Sequence, residues 1–272
     1  MASSQTQFLV YVGTPENFTL WPRPEKLRFY KKAVEWHKYI AQLKKEGHVE
    51  RAWGVQKILG EAPNPVGTKA MFIAKYNATA DEFSDLITKD PLWNYAVYYA
   101  PMLKSMEGDY EDHLARYNRA RARLEAKLGK QLPKSVIAFE EEIPKIKPGG
   151  KLQFLVTMRN GPGYADLSDE QRLSIEERVL QFHDYHGKLR DRQIIVDDGA
   201  CFPIWGFSMR KESSALAGFW VLNVNTHDEF FSLILMDPLT VVMVHMSVEL
   251  VPFEESANRA AREFKAATIQ LR

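Results

Sequence analysis

Two histidines occupy matching places in two similar stretches of the chain, and two aspartates stand immediately before prolines. His37 belongs to the series Tyr30, Val34, His37 and Ala41, spaced i, i+4, i+7 and i+11, which on a helix forms one apolar stripe turned inward. His183 holds the corresponding place in Leu180, His183 and Gly187. The aspartates are Asp90, before Pro91, and Asp237, before Pro238. A carboxylate that meets an imidazole orients the ring, sets its tautomer and raises its basicity, as a general base requires. His37 with Asp90 and His183 with Asp237 are therefore the candidate catalytic pairs. Each has a plainer reading: a core imidazole satisfied by a backbone or carboxylate hydrogen bond, and an Asp-Pro step serving a turn or cap for local reasons. Aromatic residues make up 12% of the chain, and Trp53, Tyr98, Trp205 and His245 are the candidate walls of a pocket for a flat apolar ligand. An ordinary core would use the same side chains.

Other chemistries lack their residues. Cys201 is the one cysteine, which excludes an internal disulfide and any CxxC site. No HExxH occurs and no three ligands stand at metal spacing, so no metal is expected. No GxGxxG follows a strand pattern, and Gly161-Pro162-Gly163 reads as a turn, so nucleotide binding has no support. A net charge of +1 gives no global attraction to nucleic acid or an anionic membrane. His48, His113, His186 and His227 read as surface or cap residues, and the basic run Arg116–Arg123 as a solvated helix face. The first residues lack the basic start and apolar run of a signal peptide, and no apolar stretch is long enough for a bilayer, so a soluble cytoplasmic protein is expected.

The scaffold that holds these residues is written twice. Gln7-Phe8-Leu9-Val10 returns as Gln153-Phe154-Leu155-Val156, and Trp36-His37-Lys38-Tyr39 as Phe182-His183-Asp184-Tyr185, both 146 positions on (153 minus 7, 182 minus 36). Thr79-Ala80-Asp81-Glu82-Phe83 returns as Thr226-His227-Asp228-Glu229-Phe230, and Asp90-Pro91-Leu92 as Asp237-Pro238-Leu239, 147 positions on (226 minus 79). Trp53-Gly54 matched to Trp205-Gly206 implies a loop six residues longer in the second copy (152 against 146). Asn118-Arg119-Ala120 echoes Asn258-Arg259-Ala260. Each copy reads β-α-β-β-α-β, the split βαβ or ferredoxin-like order. Strands are expected at Phe8–Val12, Arg51–Leu59, Ala70–Tyr76 and Tyr95–Met102, and in the second copy at Phe154–Met158, Pro203–Arg210, Ala217–Asn223 and Val241–Leu250. The long helix spans Pro24–Glu46, closed by Gly47, and its counterpart starts after Ser168. The short helix opens at Thr79 or Thr226, where Thr-x-x-Glu forms a capping box.

Each copy resembles the YCII-related and muconolactone-isomerase-like families of the dimeric α+β barrel superfamily. His37, Gly47 and Asp90-Pro91, then His183 and Asp237-Pro238, carry the YCII-like part. Ala41-Gln42-Leu43, Glu46-Gly47, Trp53, Asp81-Glu82 and Pro91-Leu92 carry the other. The resemblance implies an α+β chain of two tandem ferredoxin-like units forming an intramolecular dimeric α+β barrel, with a helix–sheet cleft in each half. It also implies a catalytic His–Asp dyad in each cleft. Two departures stand out: those families are usually single-domain, and Asp191-Arg192 replaces the helix-ending glycine in the second copy.

The resulting expectation is a cofactor-independent isomerase, lyase or cyclase moving a proton on a small apolar cyclic or aromatic compound. His37 and His183 would be the bases, with the His37 site the stronger. The alternatives are a cofactor-free or haem-dependent oxidoreductase, or a non-catalytic ligand-binding protein. Residues 1–110 and 151–253 form the repeats, 111–150 a helix and linker, and 254–272 a terminal helix. No cofactor, nucleic acid or membrane partner is expected, and pseudo-dimers of this kind can associate further.

Overall fold

The computed structural model describes residues 6–15, 17–59, 70–160, 167–202 and 216–269. The turn expected around 161–163 and Trp205 lie outside the described residues. In the first repeat β1 (Thr6–Gly13) leads through a 3-10 turn (Phe18–Leu20) into α1 (Arg23–Glu46). Then come β2 (Val49–Leu59), β3 (Ala70–Ala78) and α2 (Ala80–Thr88). Two short strands follow, β4 (Val97–Tyr99) and β5 (Met102–Lys104), where the sequence pattern predicts one. The second repeat contains β6 (Leu152–Asn160), α4 (Asp169–Asp191), β7 (Ile195–Phe202), β8 (Leu216–Val224), α5 (His227–Met236) and β9 (Met243–Pro252). Helix α3 (Met106–Leu128) follows the first repeat, and α6 (Phe253–Ile269) the second. Among the described residues no helix is long and apolar enough to cross a membrane.

The fold class is the one read from the sequence, mixed α+β with two ferredoxin-like units. In the first, β3 lies between β1 and β2, and β4 and β5 pair with the free edge of β1, all antiparallel. In the second, β8 lies between β6 and β7. The alternation of β1 sends Phe8, Val10 and Val12 to one face, against Phe29, Ala33, Trp36, Ile40 and Leu43 of α1. Local signals set the helix ends. Thr79 and Glu82 form a reciprocal capping box on α2, as Ser168 and Gln171 do on α4. Gly47 closes α1 at φ 83°, in the left-handed region that costs glycine nothing. Gln193 takes the same position after α4 at φ 58°, and the closing bond recurs: His48 N–H donates to Leu43 O at 2.9 Å, Ile194 N–H to Leu189 O at 3.0 Å.

Two expectations are corrected. Strand pairing sets Gly54 opposite Phe72 and Ala78 opposite Thr6, and likewise Ala200 opposite Gly218 and Val224 opposite Leu152. The spacing is therefore 146 from first strand to third (200 minus 54, 224 minus 78), and the counterpart of Trp53-Gly54 is Gly199-Ala200. In this register no loop has grown: the second middle strand is described over Ile195–Phe202, the strand expected at Pro203–Arg210 lies outside the described residues, and the Trp-Gly match is out of register. The trailing helices also fall differently. The chain divides into two compact units. The first holds the described residues to Leu103 with Phe202 and those from Val248 on, and the second holds Lys104–Cys201 with 216–247. Helix α6, from the end of the second repeat, packs on α1 in the first unit, and α3 packs on α4 in the second. Counted from their first residues, Met106 and Phe253, the two helices correspond 147 apart (253 minus 106), so the Asn-Arg-Ala echo is out of register.

Candidate functional site

Neither expected His–Asp pair forms. His37 is 4% exposed, with Nδ1 2.8 Å from the Ala33 carbonyl and Nε2 3.0 Å from the Ser256 hydroxyl. If Nδ1–H donates to Ala33, Nε2 accepts from Ser256, and the neutral ring is fully satisfied. Burial holds its pKa below the ordinary imidazole value; the Ala33 carbonyl opposes this and Arg259 adds to it. His183 Nε2 lies 3.2 Å from Asp109 Oδ2, not on Asp237. In each unit, then, the long helix's imidazole bonds the fourth residue of the exchanged helix, Ser256 in α6 or Asp109 in α3. The recurrence of histidine follows from helix docking and needs no dyad.

Asp90 and Asp237 keep the local role of an Asp-Pro turn. Oδ1 accepts the N–H two residues on, from Leu92 at 2.7 Å and from Leu239 at 2.8 Å. Their second oxygens differ. Asp237 Oδ2 meets His245 Nε2 at 2.8 Å in a buried pair. Tyr98 stands at the place of His245 in the first unit, yet Asp90 Oδ2, Tyr98 OH and Trp36 Nε1 are all buried without a hydrogen bond. Burial therefore dominates and pushes Asp90 up to about 6, while the Leu92 N–H and the neighbouring Tyr98 and Trp36 pull it back. Trp53 is buried opposite Ile73, on the sheet face away from α1, so it cannot join a site built on His37.

The second unit departs from the first at one set of positions. Phe72 stacks on Trp36 at 4.5 Å between ring centres and fills the space between helix and sheet. Its counterpart is Gly218, and the missing ring leaves a cleft of about 30 Å³. Met106, Met158, Met243, Phe182 and Leu239 line it, with Ala200, Ala217 and Gly218 at the sheet and Asp109 and His113 as the polar wall. Behind that wall runs a relay of charge. Glu176 Oε2 is 2.5 Å from His113 Nδ1; His113 Nε2 is 3.7 Å from Asp109 Oδ2, which holds His183 at 3.2 Å. Burial pushes Asp109 up, but the His183 hydrogen bond and the His113 charge outweigh it and hold the carboxyl below its usual range. The first unit has Tyr30, Ala260 and Ser256 where the second has Glu176, His113 and Asp109. This cluster is not required by the fold, since the same fold does without it. On the far side of Met106 an open groove of about 420 Å³ is lined by Glu107, Tyr110, Ile137, Leu180, His183 and Arg190.

His113 and His186, surface residues on the sequence reading, are both largely buried. His186 is fully enclosed, stacked on Trp220 at 3.7 Å and packed on Phe182 at 3.8 Å, with neither nitrogen hydrogen-bonded. Asp109 and His113 at i, i+4 and Glu176 and His183 at i, i+7 are spacings legible on single helices. Which helix faces which is not. Among the described residues no group of three or more His, Cys, Asp or Glu is placed to hold a metal ion.

No family model matches the chain, and no curated protein does. Solved structures do. A chlorite dismutase from Candidatus Nitrospira defluvii, in complex with imidazole, is 9% identical over 96% of this chain and 97% of its own, with a TM-score of 0.46. A heme-binding protein from Thermus thermophilus is 11% identical over 94% of each chain, with a TM-score of 0.43. Likeness at this level concerns the fold.

The geometry corrects the cofactor-independent proton-transfer reading. Its two dyads are absent, because His37 and His183 are bonded to the exchanged helices.

Proposed function

We propose that this chain is a haem-binding protein of the oxidoreductase kind, in which the second unit would hold the group through the His113 imidazole. The observation that carries the reading is the Glu176–His113 arrangement. A buried carboxylate holds Nδ1 at 2.5 Å, and Nε2, on the cleft wall, has its nearest carboxylate at 3.7 Å, outside hydrogen-bond reach. An imidazole that is to hold a metal centre needs one nitrogen fixed by an outer partner and the other open. The donor and the methionine-rich lining both suit a porphyrin. The cleft of about 30 Å³ is too small for one, but Met106 is also a wall of the 420 Å³ groove. An unbranched thioether yields readily, and its displacement joins the two spaces into the usual size range of a ligand site.

Bound haem would supply one-electron and oxygen chemistry. The chain's own residues do the rest. Glu176 orients His113 and fixes its tautomer. Asp109 keeps His183 docked, and Arg190, ion-paired to Asp198 at 3.4 Å, stands at the groove. Titration of hemin into the purified protein should give a Soret band saturating at one equivalent, and His113→Ala should abolish it or change its position. No band, or one indifferent to His113→Ala, refutes the reading.

A further inference from the structure

The outer face of α5 carries an apolar stripe that its duplicate lacks. Phe231 is 47% exposed, Leu235 77% and Val241 71%. Phe231 and Leu235 are one turn apart on the same helix face, with Val241 just beyond the helix end. At the corresponding positions in the first repeat stand Ser84, Thr88 and Asn94, which are also exposed. The fold needs nothing apolar at these places, and one chain provides both the case and its control. Three apolar residues at three exposed positions call for a partner surface.

The charges at the two ends say which. Asp228 is exposed in the first turn of α5. At the other end, Arg178 of α4 is half-buried, with Nη1 3.4 Å from the Pro238 carbonyl. An anion in the first turn of α5, an apolar centre, and a cation beside Pro238 past the helix end form a self-complementary surface. Turned about a two-fold axis, each Asp228 faces the Arg178 of the other copy and the apolar centres meet. We propose that this face is an isologous interface at which two copies of the chain associate through antiparallel α5 helices. Three side chains form the apolar centre of such a contact, whose rim must extend further to approach the roughly 800 Å² per partner of a stable interface.

Sedimentation equilibrium over a micromolar to sub-millimolar range tests this. The wild-type chain should approach twice its monomer mass as concentration rises. Phe231→Ser with Leu235→Thr, residues the first repeat already carries at these positions, should weaken association by at least about tenfold, with circular dichroism and melting unchanged. Asp228→Arg should weaken it too, and adding Arg178→Asp should restore it, a rescue expected only when the partner is the same surface. A wild-type chain monomeric throughout, or a dimer unaffected by the Ser/Thr double variant, overturns the proposal. So does charge-swap behaviour without rescue in a folded protein.

Discussion

Replacing Asp90 with asparagine should make the protein more stable at alkaline pH, the opposite of what removing a catalytic or paired carboxylate would do. Asp90 is 4% exposed, and its pKa is raised from 3.8 to about 6, chiefly by burial. A raised carboxyl contributes stability that is fully present below 3.8 and is lost as pH rises through about 6. The shift of roughly two units corresponds to about 3 kcal/mol of penalty for the ionised form at pH 8. An asparagine there would keep an oxygen for the Leu92 N–H and would never ionise. Urea unfolding followed by tryptophan fluorescence should give Asp90→Asn about 3 kcal/mol over wild type at pH 8, shrinking to near zero at pH 4. A variant destabilised at pH 8, or a difference independent of pH, would falsify the argument and restore a charged, partnered Asp90. The second unit supplies the contrast. His245→Phe strands Asp237 Oδ2, now 2.8 Å from the ring, and should cost about 3–5 kcal/mol because a buried carboxylate is left unpaired.

Further outcomes follow from single contacts. Gly54→Ala should destabilise by about 1–3 kcal/mol in chemical denaturation, since the new Cβ would lie 2.4 Å from Ser256 Oγ and 2.8 Å from Val251 Cγ2; unchanged stability would mean α6 is not seated there. Gln193→Gly should raise the melting temperature, relieving about 1 kcal/mol of left-handed strain at φ 58°, and a lower Tm would count against that strain. His37 and His186 both have depressed pKa values, mainly through burial, so the stability they support is present above the ordinary imidazole value of 6.5 and lost as pH falls below it. Unfolding at pH 7.5 and 5 in the Asp90→Asn background, where the opposing carboxyl is absent, should show that loss; equal stabilities would contradict it. Cys201 is buried and its thiol is pushed up by burial, with Asp109 adding, so a thiol reagent should label it only after denaturation.

The periodic parts of the chain are legible because their causes are local. Alternation in Phe8, Val10 and Val12, the capping box at Thr79, the glycine after Glu46 and the Asp-Pro turns act over a few residues. Two copies of the pattern read as two copies of a unit. Local spacing also marks His37 and His183 as inward-facing, and they are. The Trp-Gly match misleads because a two-residue identity says nothing about strand register, which hydrogen-bonded partners decide.

What the sequence determined by itself was the duplicated α+β unit and the faces its helices and strands turn inward. Which helix covers which was decided only in three dimensions: α3 and α6 leave the repeat they follow in the chain and pack on the long helix of the other unit. That exchange, a contact between segments far apart in sequence, gives His37 to Ser256 and His183 to Asp109 and brings Glu176 to His113. The cleft itself is the absence of a ring at Gly218, visible only once strand pairing sets that glycine in the place of Phe72. Side-chain spacing constrains a single helix or strand; partners across a helix–helix contact are chosen by packing, and no spacing along the chain records that choice.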